Sequence, residues 1–407
     1  MKVTQLYKLV NAVTKEALGE TIVVKEDLSN VVDLGKAIID QANGLDNYVR
    51  KLVDHIGKVV FVNRIYAGSA PAVLMDSWEF GSILEKISTD LPEASENDSW
   101  NLVDGTEYSQ DTFYQPKVEA KFFNSKVTFE IKLSFTEKQV KSAFSSAEQL
   151  NGFISMLVQS VENSMTVKTD SLIMRAINNM IAETLVGELG SGVVGAKVID
   201  WSAGGVRAVN LLALYNAGKK VHLTVQQAII DPDFVRFATY QISLVSDRMS
   251  KISVLFNSGK KQRFTPDDMK RVVLLSDFAK ASDILLLSDT RNPDRITLPA
   301  HDSVPYWQGS GKDYGLTSTG VIDVKTASGE VVKTPATAAI IGVVFDRDAV
   351  GVANLDRRVT TAYNARAEFY TNFYKMDAGY YNDLSENFVV FFLGAEAAKA
   401  AEVAKAK

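Results

Sequence analysis

Hydrophobic and polar residues alternate strictly over one stretch in the first third of the chain. The apolar positions are Val127, Phe129, Ile131, Leu133 and Phe135, and a polar residue separates each from the next. A period of two is typical of a strand that buries one face and exposes the other. The pattern therefore predicts a half-buried β-strand.

The period changes to that of a helix at Ser145. Apolar residues then recur every three or four positions, at Leu150, Ile154, Leu157, Val161, Met165, Leu172, Ala176 and Met180. Capping boxes that begin at Ser145 and Ser146 predict the start of the helix, and Gly187 predicts its end. A helix of about forty residues is roughly 60 Å long at ~1.5 Å per residue. The alternative is a helix that is broken near residues 166–169.

Shorter patterns predict the remaining elements. The predicted strands are 59–66, 272–275 and 284–287, followed by a β-rich return at 363–374 and 387–392. The predicted helices are 32–49 and 206–216, the second of which stops at Gly218. Asp231 is expected to cap a further helix whose first residue is Pro232. Together these elements predict a compact α/β unit over residues 205–355.

Residues 90–116, called the acidic loop below, contain no lysine or arginine. The seven acids of the loop are Asp90, Glu93, Glu96, Asp98, Asp104, Glu107 and Asp111, and its aromatic residues are Trp100, Tyr108, Phe113 and Tyr114. Exposed aromatic residues in a loop are typical of contact surfaces. We interpret the acidic loop as an intersubunit contact. The alternative is a loop that folds onto its own domain.

Composition and charge exclude several classes of protein. The length of 407 residues is enough for two or three domains. The absence of cysteine excludes disulfides, thiolate nucleophiles and thiolate metal sites. A net charge of −5 argues against a dedicated nucleic-acid binder. Neither a signal peptide nor a run of about 20 apolar residues is evident, so we expect a soluble protein that is made in a cytoplasm.

The sequence offers few candidates for catalytic or ligand-binding chemistry. Residues 190–195 have the spacing of a dinucleotide fingerprint, but they follow a predicted helix and precede a strand, the reverse of the order required. We interpret residues 346–348 as surface ion pairs and Trp307 as part of a packed turn. The three histidines are widely separated and lack ligand-spaced partners: His55, His222 and His301. We therefore predict no catalytic, cofactor or metal site and a protein that is not an enzyme.

Several runs of the chain resemble the major capsid proteins of tailed bacteriophages. They are LVDHIGKVVF (52–61), EKISTDL (85–91), ENSM (162–165), FDRD (345–348) and NFY (372–374). The order of the parts is also similar, with an arm, an acidic hairpin loop, a long helix, a compact domain and a β-rich return. The resemblance extends over residues 52–393.

The resemblance implies an α+β fold of the Hong Kong 97 type. Its expected parts are an N-terminal arm (1–57), a strand and extended β-hairpin loop (58–140), a peripheral domain with a long spine helix (141–204), an axial α/β domain (205–355), peripheral-domain return strands (356–394) and a C-terminal tail (395–407). On this basis we expect the acidic loop to belong to the extended loop and to contact a neighbouring subunit.

The resemblance also implies a major capsid protein that self-assembles into the pentamers and hexamers of an icosahedral phage head around double-stranded DNA. Its expected partners are other copies of itself, a separate scaffolding protein, the portal protein and DNA bound without sequence specificity, with no membrane. It is expected to assemble uncleaved in the host cytoplasm and to reside in the virion capsid. The alternatives are an encapsulin-like bacterial nanocompartment shell protein and a soluble α/β enzyme.

Overall fold

The computed structural model describes most of the chain from residue 84 to residue 394 and short stretches before it. The described residues are 11–14, 16, 31–40, 48, 51, 74–75, 84–89, 92, 94, 96–108, 111, 113, 115, 118–123, 126–143, 147–191, 198–287, 298–305, 307, 324–325, 331–332 and 338–394. The helices are α1 (Val31–Asp40), α2 (Glu137–Ala143), α3 (Ala147–Leu189), α4 (Leu211–Lys219), α5 (Val225–Ile230), α6 (Pro232–Met249) and α7 (Ser276–Leu287).

The strands within these residues are mostly short before residue 338 and long after it. They are β1 (Leu74–Met75), β2 (Leu84–Thr89), β3 (Val118–Phe123), β4 (Lys126–Thr136), β5 (Gly190–Ser191), β6 (Val198–Ile199), β7 (Ala208–Asn210), β8 (Lys270–Leu275), β9 (Asp302–Val304), β10 (Val324–Lys325), β11 (Val331–Val332), β12 (Ala338–Asp346), β13 (Val350–Asn364), β14 (Phe369–Asn382) and β15 (Phe388–Gly394). None of the described helices combines the length and the apolar character that crossing a bilayer requires.

A five-stranded sheet has the order β7-β15-β12-β8-β9. β12 is antiparallel to both of its neighbours, whereas β7 and β9 run parallel to theirs. On β15, Val390 and Phe392 face a hydrophobic cluster shared with α3, while Val389 and Phe391 face one shared with helices α4 to α7. Both faces of the sheet are therefore buried, which explains why β15 is an uninterrupted apolar run rather than an alternating one.

A second sheet has the order β1-β13-β14-β4 and contains the long strands. β14 pairs antiparallel with β13 on one side and with β4 on the other. Along β4 exposed residues alternate with buried or half-buried ones. The half-buried strand that the apolar alternation predicted is confirmed, with the bounds Lys126–Thr136.

Helix α3 is continuous over 43 residues, or ~65 Å at 1.5 Å per residue. Its N-terminal half buries a narrow stripe with four-residue spacing, formed by Leu157, Val161, Met165 and Thr169. From Leu172 onward most of its side chains are buried, and they pack against residues of both large sheets. The C-terminal half of the helix is therefore held in the core, and the N-terminal half packs along one side only.

The alternative of a helix broken near residues 166–169 is wrong. The hydroxyl groups of Thr166 and Thr169 donate hydrogen bonds of 3.0 Å to the carbonyl oxygens of Glu162 and Met165, one turn earlier. These bonds satisfy the threonine side chains inside the helix, so the β-branched residues do not interrupt it.

Two other local predictions are confirmed. The side chain of Asp231 accepts a hydrogen bond of 2.7 Å from the N–H of Phe234 and caps α6, whose first residue is Pro232. Trp307 is 1% exposed, and its indole N–H donates to the carbonyl oxygen of Ile340 at 2.8 Å. Trp307 is therefore a packed residue, as its place in a turn predicted.

The predicted helix 206–216 is wrong at its start. Residues Ala208–Asn210 form strand β7, because they pair with β15 at the edge of the five-stranded sheet. The helix begins only at Leu211, where the side chain of Asn210 accepts the N–H of Ala213 at 3.1 Å. Three residues are too few to show a periodicity of two, so the sequence pattern does not distinguish this short strand from the start of the helix.

Three further boundaries differ from the prediction. Residues 284–287 are the last turn of α7 rather than a buried strand, and Ile284 is 66% exposed. The β-rich return at 363–374 is divided by a turn between β13 and β14. Helix α3 does not end at Gly187 but continues for two more residues. No atom of the described residues crowds Gly187 in the last turn of the helix. Short apolar runs and isolated glycines are weak boundary signals because tertiary contacts override them.

Some predictions lie wholly or partly outside the described residues. They are the strand at 59–66, the capping residues Ser145 and Ser146, the second half of the helix at 32–49, residues 192–195 of the glycine-rich run, His55 and the tail at 395–407.

Val167 provides a direct test of the continuity of α3. Its side chain is 56% exposed, so replacing it removes little packing. Proline at this position removes a backbone hydrogen bond and clashes with the preceding turn, and we expect Val167→Pro to lower the free energy of unfolding by about 3 kcal/mol or more. Val167→Ala is the matched control and is expected to be close to the parent protein. Urea denaturation followed by circular dichroism measures both, and equal stability of the two variants contradicts a continuous helix here.

Candidate functional site

Strands β2 and β3 form an antiparallel hairpin that carries the acidic loop. Leu84 pairs with Phe123 at the base of the hairpin, and Thr89 pairs with Val118 at the end from which the loop emerges. Within the described residues this hairpin has no third strand. Because an isolated two-stranded hairpin is marginally stable in water, contacts with the rest of the chain must hold it in place.

Two lysines occupy directly opposite positions in this hairpin, Lys86 on β2 and Lys121 on β3. Like charges in such a cross-strand pair repel each other. Here one carboxylate lies between them: Asp383 Oδ2 is 2.9 Å from Lys86 Nζ, and Asp383 Oδ1 is 2.9 Å from Lys121 Nζ. Lys86 Nζ is also 2.7 Å from Glu386 Oε1, and Lys121 donates to the hydroxyl of Ser385. The segment between β14 and β15 thus binds both strands of the hairpin.

The surroundings of Asp383 and Lys86 shift the pKa of each in the direction that favours its charged form. Burial raises the pKa of Asp383, but the hydrogen bond from Lys121 and the charge of Lys86 outweigh this effect and hold it below its usual range. Burial lowers the pKa of Lys86, but the hydrogen bond to Glu386 and the charges of Asp383 and Glu386 raise it on balance. The side chain of Asp383 is 2% exposed, so the attraction acts largely out of solvent.

Two further contacts extend the attachment along the hairpin. At the base, the rings of Phe123 and Tyr381 lie 5.0 Å apart between centroids. Near the loop end, Glu119 Oε2 is 3.0 Å from Lys261 Nζ. The hairpin is therefore attached to the body of the subunit from its base to the point where the acidic loop begins.

The acidic loop directs its large apolar side chains into solvent. Trp100 is 93% exposed and Phe113 is 84% exposed, and neither is covered by the described part of its own chain. Leu102 and Val103 are also exposed, as is Tyr108. Grouped apolar side chains in contact with water are a feature of surfaces that another molecule covers.

Local hydrogen bonds give the acidic loop a defined shape. The N–H of Val103 donates to the hydroxyl of Tyr108 at 3.2 Å, and the N–H of Ser99 donates to the side chain of Asn97 at 2.8 Å. Gly105 has φ = +83°, a left-handed conformation that glycine adopts without strain. These features order the backbone while the aromatic rings stay uncovered.

Seven of the eleven predicted contact residues are described and exposed. The exposed ones are Glu96, Trp100, Asp104, Glu107, Tyr108, Asp111 and Phe113. Asp98 begins a short 3-10 helix, Asp98–Trp100, while Asp90, Glu93 and Tyr114 lie outside the described residues. Sequence reasoning missed Lys86, Lys121 and Asp383, because 262 residues separate Lys121 from Asp383. The sequence signal for this ion-pair cluster was limited to one lysine within each of two short strands.

Two of the three histidines lie within the described residues. His222 is exposed, and the Nδ1 atom of His301 is 3.0 Å from the carbonyl oxygen of Pro299. Among the residues that the structure describes, no three His, Asp or Glu side chains are placed to hold a metal ion.

The prediction of surface ion pairs at residues 346–348 is half wrong. Arg347 Nε and Asp348 Oδ1 do form an exposed pair at 3.7 Å. Asp346, however, is 4% exposed and accepts hydrogen bonds from the Thr265 hydroxyl at 2.8 Å and the N–H of Asp348 at 2.9 Å. Burial raises its pKa. Asp346 therefore has a structural role as the cap of a short helix, which alternating charges in sequence did not reveal.

Comparison with known proteins gives a family match. The profile of the Phi29-like phage major capsid proteins matches residues 10–392. The major capsid protein of Bacillus phage GA-1 is 23% identical over 189 residues, a match that covers 45% of this chain and 38% of that relative. In this match the chain thus spans less than half the length of the relative.

Solved structures of phage capsids are also similar to this chain. The capsid structure of Staphylococcus phage Andhra aligns with a TM-score of 0.47 and 8% identity, covering 82% of this chain and 86% of that chain. The capsid structure of the cyanophage P-SCSP1u aligns with a TM-score of 0.40 and 12% identity, covering 82% of this chain and 92% of that chain.

The first prediction from this site concerns the carboxylate between the two lysines. Asp383→Asn removes the charge that offsets the repulsion of Lys86 and Lys121, and breaking such a buried pair costs about 3 kcal/mol. We expect amides of β2 and β3 to exchange with deuterium much faster, while β12 and β15 keep their protection. Asp233→Asn, which breaks an exposed pair with Arg236 at 3.3 Å, is the control and should cost less than about 1 kcal/mol. Unchanged exchange in β2 and β3 contradicts the assigned role.

A second prediction concerns pH. Because the folded-state pKa of Asp383 lies below the unfolded value, which is about 3.9, its contribution is complete above that value. It is lost as pH falls through the folded-state pKa. We expect the protection of the hairpin amides to decrease below about pH 4. Asp383→Asn should lack this component of the pH dependence, and an identical profile in both proteins contradicts the prediction.

Proposed function

Because the chain belongs to the Phi29-like phage major capsid protein family, we propose that its copies assemble into the pentamers and hexamers of an icosahedral head around double-stranded DNA. The protein then resides in the virion capsid, after assembly in the host cytoplasm. One observation carries this proposal: a hairpin held by the ion pairs of Lys86 and Lys121 with Asp383 presents an exposed loop that contains Trp100 and Phe113.

The proposed role of the acidic loop is a contact with a neighbouring subunit. Covering a large apolar side chain contributes about 1.5–3 kcal/mol, so Trp100 and Phe113 supply a useful but limited attraction at each contact. The ion pairs of Lys86 and Lys121 fix the direction of the hairpin before assembly, which lowers the entropy lost on binding. A closed shell repeats such contacts many times, so modest attraction per contact suffices.

The division of the chain into domains is also part of this proposal. We assign residues 1–57 to an arm, 58–140 to the strand and extended loop, 141–204 with α3 to the peripheral domain, 205–355 to the axial domain, 356–394 to return strands and 395–407 to a tail. Strand β15 pairs with β7 and β12, so the return strands also complete the sheet of the proposed axial domain. A fold of the Hong Kong 97 type is consistent with this order.

The remaining partners follow from the proposed role. A separate scaffolding protein guides curvature during assembly, and the portal protein occupies one vertex. Packaged DNA contacts the inner surface without sequence-specific recognition. The net charge of −5 suits this role, because a strongly basic lining would immobilise the DNA. The protein needs no cofactor and has a structural rather than an enzymatic role.

Removal of the acidic loop tests the proposal. Replacing residues 90–116 with a short Gly-Ser linker leaves β2, β3 and their ion pairs in place, so the subunit should stay folded. We expect sedimentation velocity and negative-stain electron microscopy to show folded subunits and no closed shells. Tyr240→Ala, which removes an aromatic side chain that is 60% exposed outside the loop, is the control and should assemble. Shells of normal stability from the loop replacement contradict the proposed contact.

A further inference from the structure

A second exposed surface has the charge opposite to that of the acidic loop. Residues 251–264, called the basic loop below, contain four cationic residues and no acid. The cations are Lys251, Lys260, Lys261 and Arg263. The acidic loop contains seven acids and no cation. Each segment therefore lacks the charges that would neutralise it locally.

The basic loop also exposes an apolar group. Ile252, Val254, Leu255 and Phe264 are between 43% and 57% exposed. The N–H of Ser253 donates to the carbonyl oxygen of Arg263 at 2.9 Å, and the N–H of Arg263 donates back at 3.0 Å. This register places Ile252 beside Phe264 across the two segments. Cations and exposed apolar side chains thus occur together on one small hairpin.

The backbone of the basic loop is rigidly attached beneath this surface. The side chain of Asn257 donates to the carbonyl oxygen of Lys261 and accepts its N–H, both at 2.8 Å. The carbonyl oxygen of Phe256 accepts the N–H of Phe388 at 2.8 Å. A Cβ atom at Gly259 would lie 2.7 Å from the hydroxyl of Ser385, so the loop is closely packed there. The surface is therefore formed before any partner arrives.

The basic loop adjoins the acidic loop of its own chain without being covered by it. Lys261 contacts Glu119, one residue after β3 begins. Trp100 and Phe113 are exposed, so the described part of the chain, the basic loop included, does not cover these two side chains. Within the described residues Lys251 and Lys260 have no acidic partner. Lys261 and Arg263 are paired with Glu119 and Glu386 of the same chain, which leaves Lys251 and Lys260 as the cations available to a second molecule.

We propose that the basic loop receives the acidic loop of a second copy of this chain, which rests on the proposed assembly into capsomers. Trp100 and Phe113 of one copy cover Ile252, Val254 and Phe264 of the next, while Glu96 and Glu107 approach Lys251 and Lys260. The two surfaces are different, so the contact is head-to-tail, and a rotation that closes produces a ring. The exposed apolar residues favour a protein occupant over the phosphate backbone of DNA.

Cross-linking between copies tests the contact directly, and the absence of cysteine gives a clean background. We expect Phe113→Cys combined with Val254→Cys to give a ladder of disulfide-linked oligomers on non-reducing electrophoresis of assembled particles. Phe113→Cys combined with Tyr240→Cys is the matched control, because Tyr240 is also exposed but lies on α6, and it should give no ladder. Assembled particles without a ladder from the first pair overturn the inference.

Charge reversal provides an independent test that includes rescue. One variant carries Lys251→Glu and Lys260→Glu, and the other carries Glu96→Lys and Glu107→Lys. Each alone places like charges in the contact, and we expect the protein concentration needed for assembly to rise about tenfold or more. In an equal mixture the two variants can alternate around a ring. Each unchanged acidic loop then meets an unchanged basic loop, and each loop changed to lysine meets a loop changed to glutamate. The mixture should therefore recover hexameric assembly.

The outcomes separate this inference from the proposed function. Normal assembly of each variant alone, or no recovery in the mixture, overturns the contact but leaves the capsid role intact if the parent protein forms shells. Normal assembly of the lysine-reversed variant with reduced DNA packaging assigns the basic loop to DNA and also overturns the contact. If the parent protein forms no shells under any assembly condition, the proposed function itself fails.

Discussion

The connection between β14 and β15 is the element on which the rest of the described structure depends. The side chain of Asn382 donates to the carbonyl oxygen of Ala176 in α3 at 2.6 Å, and the N–H of Asp383 donates to the carbonyl oxygen of Ala349 at 2.8 Å. Asn387 accepts the N–H of Asp346 at 2.9 Å through its own carbonyl oxygen. This short polar segment therefore joins the long helix, both large sheets and the hairpin. Because it is buried, each unsatisfied group would cost about 1–3 kcal/mol, which favours a single arrangement.

The same connection relates the core of the subunit to its exposed loop. Asp383 is held on one side by backbone hydrogen bonds between the sheets and on the other by Lys86 and Lys121. The direction of the hairpin is thus set by the packing of β14 and β15, and not by the acidic loop itself. A loop whose attachment is rigid presents Trp100 and Phe113 in a defined position, and little conformational freedom remains to be lost when a partner covers them.

The sequence predicted local features well and distant contacts poorly. The alternation from Val127 to Phe135 and the three- and four-residue spacing in α3 predicted a strand and a helix, because each periodicity directly reflects which face is buried. The start of β7 and the helical state of 284–287 were missed, because sheet-edge pairing and helix packing decide them. The ion pairs of Asp383 were unpredictable for a stronger reason: nothing local in the sequence indicates which carboxylate meets a lysine 262 residues away. The composition of the acidic loop could be seen in advance, but its rigid attachment could not.

Charge segregation along the chain constrains how these loops find partners. The acidic loop has no base and the basic loop has no acid, so neither segment contains the charges that would neutralise it. The hairpin is attached through Asp383 and through the contact of Glu119 with Lys261, and Trp100 and Phe113 of the acidic loop remain exposed. Lys261 and Arg263 are paired with Glu119 and Glu386 of the same chain, so Lys251 and Lys260 are the cations that the proposed contact with a second copy would use. Exposed charges of this kind are screened within about 8–10 Å at physiological ionic strength, so the attraction acts once subunits are already close. In the proposed contact, the charges select the orientation in which neighbours meet, and burial of the aromatic residues supplies most of the affinity.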